Sequence, residues 1–288
     1  MRFLRPLAIG MLLSAVACSP SASTTTAVEG EGRAWAAIVQ REAGFEAEPV
    51  VGIYRVCYAI CSRARVTVEV VVYPDGTAAT IDRQPPGDHN SSFQLRTIDL
   101  AASDLGQVTE LMQSAGLTTG GIRAVGNRDG VVDGNGIVFV ALVGSTLTQL
   151  HVPQLDPEDP EPDRRPLSEL RSLLQARLDT EQGEVLPSNW VMLGEVVRGE
   201  ELSFVWDQPE RPQGEPPCLA FDPAQLPAEL AGLVSQEEHD AHWIKFGESS
   251  HAMVGRILLP HEEGCRDVQS LVNRIQAAED NLNLGRGG

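Results

Sequence analysis

Four histidines in the C-terminal part of the chain have the side-chain type and spacing that could hold a metal ion: His239, His242, His251 and His261. On a helix, His239 and His242 would share one face, because residues three apart are neighbours there. Zinc needs at least three such ligands, and no H-E-x-x-H motif is present. Acidic residues beside His239 favour a solvated segment before a strand. We therefore predict no metal ligand, and a site here would require the histidines to converge.

The other motifs that could carry chemistry are incomplete. Gly30-Glu31-Gly32 and Gly134-Asn135-Gly136 lack the third glycine of a dinucleotide fingerprint. The oxygen-rich segment 127–135 could contact calcium, but no glutamate closes an EF-hand loop. Gly247-Glu248-Ser249-Ser250-His251 lacks the second glycine of a nucleophile elbow. The sequence therefore predicts no catalytic residue and no cofactor site.

Residues 1–17 have the three parts of an export signal. A basic start and an apolar run over 7–13 lead to the small residues Ala15-Val16-Ala17, directly before Cys18. Small residues ending at a cysteine, ahead of a Ser/Thr-rich tether over 18–32, resemble a bacterial lipobox. That resemblance implies cleavage before Cys18 and attachment of a diacylglycerol, with palmitate as an acyl chain, to the Cys18 sulfur. Two acyl chains anchor a protein stably in a membrane. Ordinary signal cleavage after the A-x-A sequence is the alternative.

The remaining cysteines are Cys57, Cys61, Cys218 and Cys265. An even number in an exported chain predicts two disulfides, because that compartment is oxidising. Four cysteines allow three pairings, of which proximity and domain layout favour Cys57–Cys61 with Cys218–Cys265. Metal binding or redox exchange is the alternative, but C-x3-C lacks the C-x2-C spacing of zinc and thioredoxin-like motifs.

The charge of the chain excludes two classes of partner. It has 40 acidic and 22 basic side chains, a formal net charge of −18. Nucleic-acid binding needs a basic surface, and so does electrostatic docking on an anionic membrane. We therefore expect no nucleic-acid partner, and attachment to a membrane only through the lipid anchor.

The pattern of apolar residues predicts an α+β fold with antiparallel β-hairpins and packed amphipathic helices. Helices are expected from a Ser103 cap to Gly116, from Pro166 onward, at 227–233, and at 266–282. Strands are expected at 50–56, 65–73, 78–81, 93–100, 137–143, 146–152, 190–197, 201–206, 241–246 and 251–259.

Length and composition divide the chain into two small domains. An N-terminal α+β domain is predicted over 33–181 and a C-terminal α+β domain over 182–288. The first contains an acidic, proline-rich linker at 156–166, which we expect to be extended because prolines prevent helix formation and like charges repel.

Short motifs occur in order along most of the mature chain. They are Ala43-Gly44-Phe45, the hairpin Val72-Tyr73-Pro74-Asp75-Gly76, Trp206, and the run from Arg256 to Cys265. This order resembles a group of exported actinobacterial lipoproteins of unknown function, which carry Gly-Gly-Phe, Tyr-Gly-Asp-Gly, and a tryptophan followed by Arg-Pro-Leu-Leu-Pro-x-Glu and cysteine.

The resemblance supports a Cys218–Cys265 bond, but it brings no known activity and no catalytic residue. This chain departs from the pattern at Ala43, at Pro74, and in having the Cys57/Cys61 pair.

These features together predict a lipid-anchored, non-catalytic binding or interaction module on the outer face of the cytoplasmic membrane, with an unknown protein or small-molecule ligand. An envelope hydrolase or metal-binding protein, with a site built from dispersed acids and histidines, is the alternative. A deep pocket with a pKa-shifted carboxylate or histidine would favour the enzyme, and an exposed apolar groove would favour a partner protein.

We expect Cys18 to be acylated, so Cys18→Ser should abolish lipid labelling and partition into membranes. The reason is that serine offers no sulfur for the diacylglycerol. Labelling with a palmitate analogue and fractionation of expressing cells measure both. A Cys18→Ser protein that was lipid-labelled and partitioned into membranes just as the parent does would contradict this.

Overall fold

The computed structural model describes residue 35 and residues 48–57, 66–84, 92–126, 135–187, 189–197, 204–206, 211–221 and 242–282. Within these ranges the fold is mixed α and β with strands dominant, so the predicted α+β class is confirmed at that level. The helices are α1 (Ala102–Ser114), α2 (Arg165–Thr180) and α3 (Cys265–Leu282). None of the described helices is both long and apolar enough to cross a membrane.

Eight strands form the larger sheet, in the order β5-β7-β6-β1-β2-β3-β4-β8. All neighbours pair antiparallel except β5 and β7. The strands are β1 (Val51–Cys57), β2 (Val66–Val72), β3 (Thr77–Gln84), β4 (Ser92–Asp99), β5 (Gly121–Ala124), β6 (Asn135–Val143), β7 (Thr146–Pro153) and β8 (Glu184–Leu186).

Five strands form the smaller sheet, in the order β10-β12-β13-β9-β11. They are β9 (Trp190–Val197), β10 (Phe204–Trp206), β11 (Cys218–Phe221), β12 (His242–Phe246) and β13 (Ser249–Ile257). β13 runs antiparallel to both β9 and β12, and only β10 pairs parallel, with β12.

Strand β2 shows why the larger sheet forms a core on both sides. Five of its seven residues are valine, which packs well on a pleated surface. Val68 and Val71 belong to one hydrophobic cluster, whereas Val70 and Val72 belong to the other. A strand with valines on both faces requires both faces of its sheet to be covered.

Helices α1 and α2 cover the first face. Met112 and Leu170 are buried there in one cluster with Phe139 of β6. Charges reinforce this layer: the Arg171 guanidinium lies 2.7 Å from the Glu69 carboxylate of β2. Arg177 of α2 pairs with Asp104 of α1 at 2.6 Å.

The second face packs against the C-terminal part of the chain. One hydrophobic cluster combines Tyr54 and Val138 of the larger sheet with Met253 of the smaller sheet and Val272 and Ile275 of α3. The two sheets therefore share a core, while their division into two domains stays a prediction. Strand β8, which follows residue 181, pairs with β4 of the larger sheet.

Two predicted glycine positions are confirmed. Gly76, in the hairpin between β2 and β3, has φ 91°, and Gly116, just after α1, has φ 68°. Both values lie in the left-handed region that glycine adopts without steric cost.

The predicted Ser103 cap is wrong. Helix α1 already begins at Ala102, the capping position is Ala101, and no side chain caps it. The backbone nitrogens of Asp104 and Leu105 instead donate to the Ala101 carbonyl. A hydroxyl therefore does not mark the start of this helix.

The predicted extended conformation of the acidic segment is also wrong, because residues 157–158 and 162–164 form turns against α2. Asp159 is buried and pairs with Arg164 at 2.6 Å. The Ser168 hydroxyl donates to the Asp156 carbonyl at 2.9 Å. Arg164 neutralises Asp159, and the Ser168 hydroxyl donates a hydrogen bond to a backbone carbonyl of the segment. These contacts outweigh the expected repulsion between the acidic side chains.

Candidate functional site

The disulfide between Cys218 and Cys265 positions the helix that carries the candidate site. It joins β11 to the first residue of α3, with the two Cα atoms 5.7 Å apart. This predicted pairing is confirmed. Cys61 and Cys18 lie outside the described residues, and so does the side chain of Cys57, so Cys57–Cys61 pairing and acylation stay predictions.

A cleft of about 130 Å³ lies between the second face of the larger sheet and α3. This is below the roughly 300–1,000 Å³ that drug-sized ligands need, so it suits a smaller molecule. Its lining comes from the sheet (Gly52, Tyr54, Val140, Leu142, Leu147), from α3 (Asp267, Ser270, Leu271, Arg274), from the loop before α3 (His261, Glu262), and from Glu48 and Pro49.

Gly52 allows the ring of Tyr54 to lie along the strand as part of the cleft wall. A Cβ at Gly52 would lie 2.5 Å from Tyr54 Oη and 2.7 Å from Cζ, far inside normal contact. The β1–β2 register also shifts between Ile53 and Tyr54, as at a bulge. A glycine inside a strand is typical of such a close approach.

The cleft-lining His261 is held by Tyr73, at the end of β2. The Tyr73 hydroxyl lies 2.9 Å from His261 Nδ1, and it also accepts a hydrogen bond from the His261 backbone. Burial raises the pKa of Tyr73, so the hydroxyl keeps its proton and donates it to Nδ1. Burial lowers the pKa of His261, which is therefore neutral at pH 7 and carries its proton on Nε2.

Next to His261, Glu262 is fully engaged in a buried ion pair. Its Oε1 lies 2.7 Å from Arg256 Nη2, and its Oε2 accepts the backbone N–H of Leu259 at 2.8 Å. Nε and Nη1 of Arg256 are buried without a partner. This pair fixes the loop that presents His261 and balances the charge of Glu262.

Arg274 differs in its polar contacts from the other arginines that the structure describes around the core. It lines the cleft and makes neither an ion pair nor a hydrogen bond within the described part of the chain, and its Nε is buried. Asp267, Ser270 and Arg274 are spaced three, four and seven apart on α3, so they share one face toward the cleft. The guanidinium is thus available to a ligand.

Opposite charges meet around Tyr54. Burial is the main cause of its raised pKa; the carboxylates of Glu262 and Glu48 raise it further, and the guanidinium groups of Arg256 and Arg274 lower it. The phenol therefore stays protonated and can only exchange hydrogen bonds. The cleft combines both signs of charge with an apolar wall and a neutral imidazole.

The four histidines singled out from the sequence do not form one described site. His261 contacts Tyr73, whereas the ring of His251 packs edge-on against Phe246 at 5.3 Å. His242 pairs in register with Met253, and His239 lies outside the described residues. Among the described residues, no three His, Cys, Asp or Glu side chains are placed to hold a metal ion.

A buried polar pair on β7 lies apart from these groups. Gln149 Nε2 and His151 Nε2 are 2.6 Å apart, and both side chains are fully buried. They pair in register with Val140 and Val138. Burial lowers the pKa of His151 to about 4. Isolation from solvent makes this pair a packing feature and not a reactive one.

Sequence reasoning missed most of the cleft. Gly52, inside an apolar strand, indicates that another group approaches the backbone closely at this position. The polar series Asp267, Ser270 and Arg274 indicates that α3 has a second, polar face beside its buried one. Nothing in the sequence connects either signal to Tyr73 or His261, which are 188 residues apart.

No protein-family model, no curated protein and no solved structure matches this chain. The function must therefore be argued from the cleft itself.

We expect His261 to be neutral at pH 7 with its proton on Nε2, and to titrate below the ordinary value of 6.5. Because folding lowers this pKa, the unfolded chain binds the proton more readily, and stability falls as the pH drops below about 6.5. Histidine ¹⁵N shifts report both properties. Tyr73→Phe should redistribute the proton between the two nitrogens, since Nδ1 loses its donor, while His251 serves as the internal control. A proton found on Nδ1 of the parent protein would contradict the assignment.

Proposed function

We propose that the protein is a lipid-anchored binding protein of the cell envelope and that the cleft beside α3 is its ligand site. The observation that carries this proposal is Arg274: an arginine in a cleft, unpaired within the described residues of an acidic protein. An unpaired, partly buried guanidinium is costly unless something binds it. A binding function explains that cost.

The envelope location comes from the sequence. The export signal at 1–17 and the small residues before Cys18 support anchoring on the outer face of the cytoplasmic membrane, and the charge of −18 supports a body that stands away from anionic lipid. The chain comprises two units, one built on each sheet, with the boundary between Leu186 and Trp190 and the cleft at their junction.

A hydrolase is the second candidate, because a neutral histidine with a lowered pKa and a serine, Ser270, line the same cleft. A catalytic serine is usually hydrogen-bonded to its histidine, whose other nitrogen faces a carboxylate. Here Nδ1 of His261 faces Tyr73, and Ser270 has no hydrogen bond with His261 in the described structure. A fluorophosphonate probe that labelled Ser270 would decide for the hydrolase.

The binding proposal is tested by filling the cleft. Ser270 is exposed at the cleft, so Ser270→Trp places an indole there without disturbing the core. Ser114→Trp, at the exposed last residue of α1 and outside the cleft lining, is the matched control. Binding of a panel of small amino acids, carboxylic acids, amines and sugars to the full-length protein is measured by calorimetry.

We expect at least one compound of the panel to bind, with affinity lowered about tenfold or more by Ser270→Trp and unchanged by Ser114→Trp, because loss of a few apolar contacts and one charged hydrogen bond costs that much. Equal affinity in the two variants, or no binding by any compound at millimolar concentration, would refute the proposal.

A further inference from the structure

We propose, on the basis of the function above, that the ligand is a small aliphatic zwitterion: a molecule with a free carboxylate, a free ammonium and a short branched hydrocarbon side chain. A single amino acid and a dipeptide are the two sources of this chemistry.

Arg274 provides the site for the carboxylate. Carboxylates already pair with six other described arginines: Arg55, Arg96, Arg164, Arg171, Arg177 and Arg256. Arg274 has no such partner although Asp267 lies on the same helix face, and its Nε is buried without a hydrogen bond. The planar guanidinium fork matches a carboxylate better than it matches other groups.

Glu48 and Asp267 provide the site for the ammonium. Glu48 is exposed at the cleft, and its charge acts on both Tyr54 and His261. Asp267 Oδ2 accepts the backbone N–H of Glu263 at 2.8 Å, which leaves Oδ1 available. Glu262 is a poorer partner for an ammonium, because Arg256 already balances its charge.

The apolar wall accounts for the hydrocarbon side chain of the ligand. Val140, Leu142 and Leu147 line the sheet side, and Leu142 pairs in register with Leu147. Leu271 faces them from α3. A volume of about 130 Å³ limits the hydrocarbon to one branched side chain.

The two signs of charge in the cleft select against simpler ligands. A bare carboxylate would leave Glu48 and Asp267 without a cation, and a bare amine would leave Arg274 without an anion. A zwitterion carries no net charge and satisfies both ends of the cleft. The neutral His261 adds an N–H donor at Nε2 without adding charge.

The test uses L-leucine and glycyl-L-leucine as the two zwitterions, with N-acetyl-L-leucine lacking the ammonium and L-leucinamide lacking the carboxylate. Binding to the full-length protein is measured by calorimetry. Leucine or the dipeptide should bind, and each single-charge compound should bind about tenfold or more weakly, because each loses one charge-assisted hydrogen-bonded contact. The stronger of the two zwitterions identifies the source.

Variants then assign the two ends. Arg274→Gln should weaken the zwitterion about tenfold or more and leave L-leucinamide unchanged, since only the zwitterion has a carboxylate to lose. Glu48→Gln should weaken the zwitterion and leave N-acetyl-L-leucine unchanged. Arg266→Gln, exposed on α3 and outside the cleft lining, is the matched control and should change nothing.

Two results would overturn the inference while leaving the proposed function intact. One is that N-acetyl-L-leucine or L-leucinamide binds as tightly as the zwitterions. The other is that neither zwitterion binds, while a different compound binds the parent protein and loses affinity in the Ser270→Trp variant. If leucine bound equally well to the parent and to Ser270→Trp, both the inference and the proposed function would be wrong.

Discussion

The structure depends on the need to cover both faces of one large sheet. Valines on β2 enter the clusters on the two sides, and the fully buried Phe139 and Val138 on β6 do the same. Helices α1 and α2 can cover only one face. The other face would expose a broad apolar surface to water unless the C-terminal sheet and α3 packed on it, and burial of that surface is the main force that holds the two parts together.

The cleft follows from how that cover is made. Two devices hold α3 at its N-terminal end: the Cys218–Cys265 disulfide and the loop fixed by the Arg256–Glu262 pair. Beyond them, the buried stripe of α3 seals the core, while its neighbouring polar face, which includes Arg274, faces the cleft beside β1, β6 and β7. A seam between two packed layers is therefore both the structural junction and the place where charged groups can meet a small ligand. The same seam contains Tyr73 and His261, whose hydrogen bond joins the two parts directly.

Local patterns in the sequence predicted much of the architecture. Valine-rich runs, helical periodicity and cysteine counting predicted the positions of β9, α3 and the Cys218–Cys265 bond. These features could be predicted because they depend on neighbouring residues or on few alternatives. The Ser103 cap and the extended acidic segment failed because tertiary partners, such as Arg164 for Asp159, outweighed local preference. The candidate site was beyond the sequence for a related reason. Its members come from β1, β6, the loop before α3 and α3 itself, and only the packing of the C-terminal part on the sheet brings them together.

The central claim is that α3 and the larger sheet form one cooperative core. Native-state hydrogen exchange of an Ile275→Ala variant tests it most directly, because Ile275 is fully buried in α3 and shares a cluster with Tyr54 of β1. Truncation of a buried isoleucine costs about 3 kcal/mol. The account predicts that the amides of Ile53 in β1 and Val272 in α3 lose the same free energy of protection, since they open together. Loss of protection confined to α3, with β1 unchanged, would contradict it.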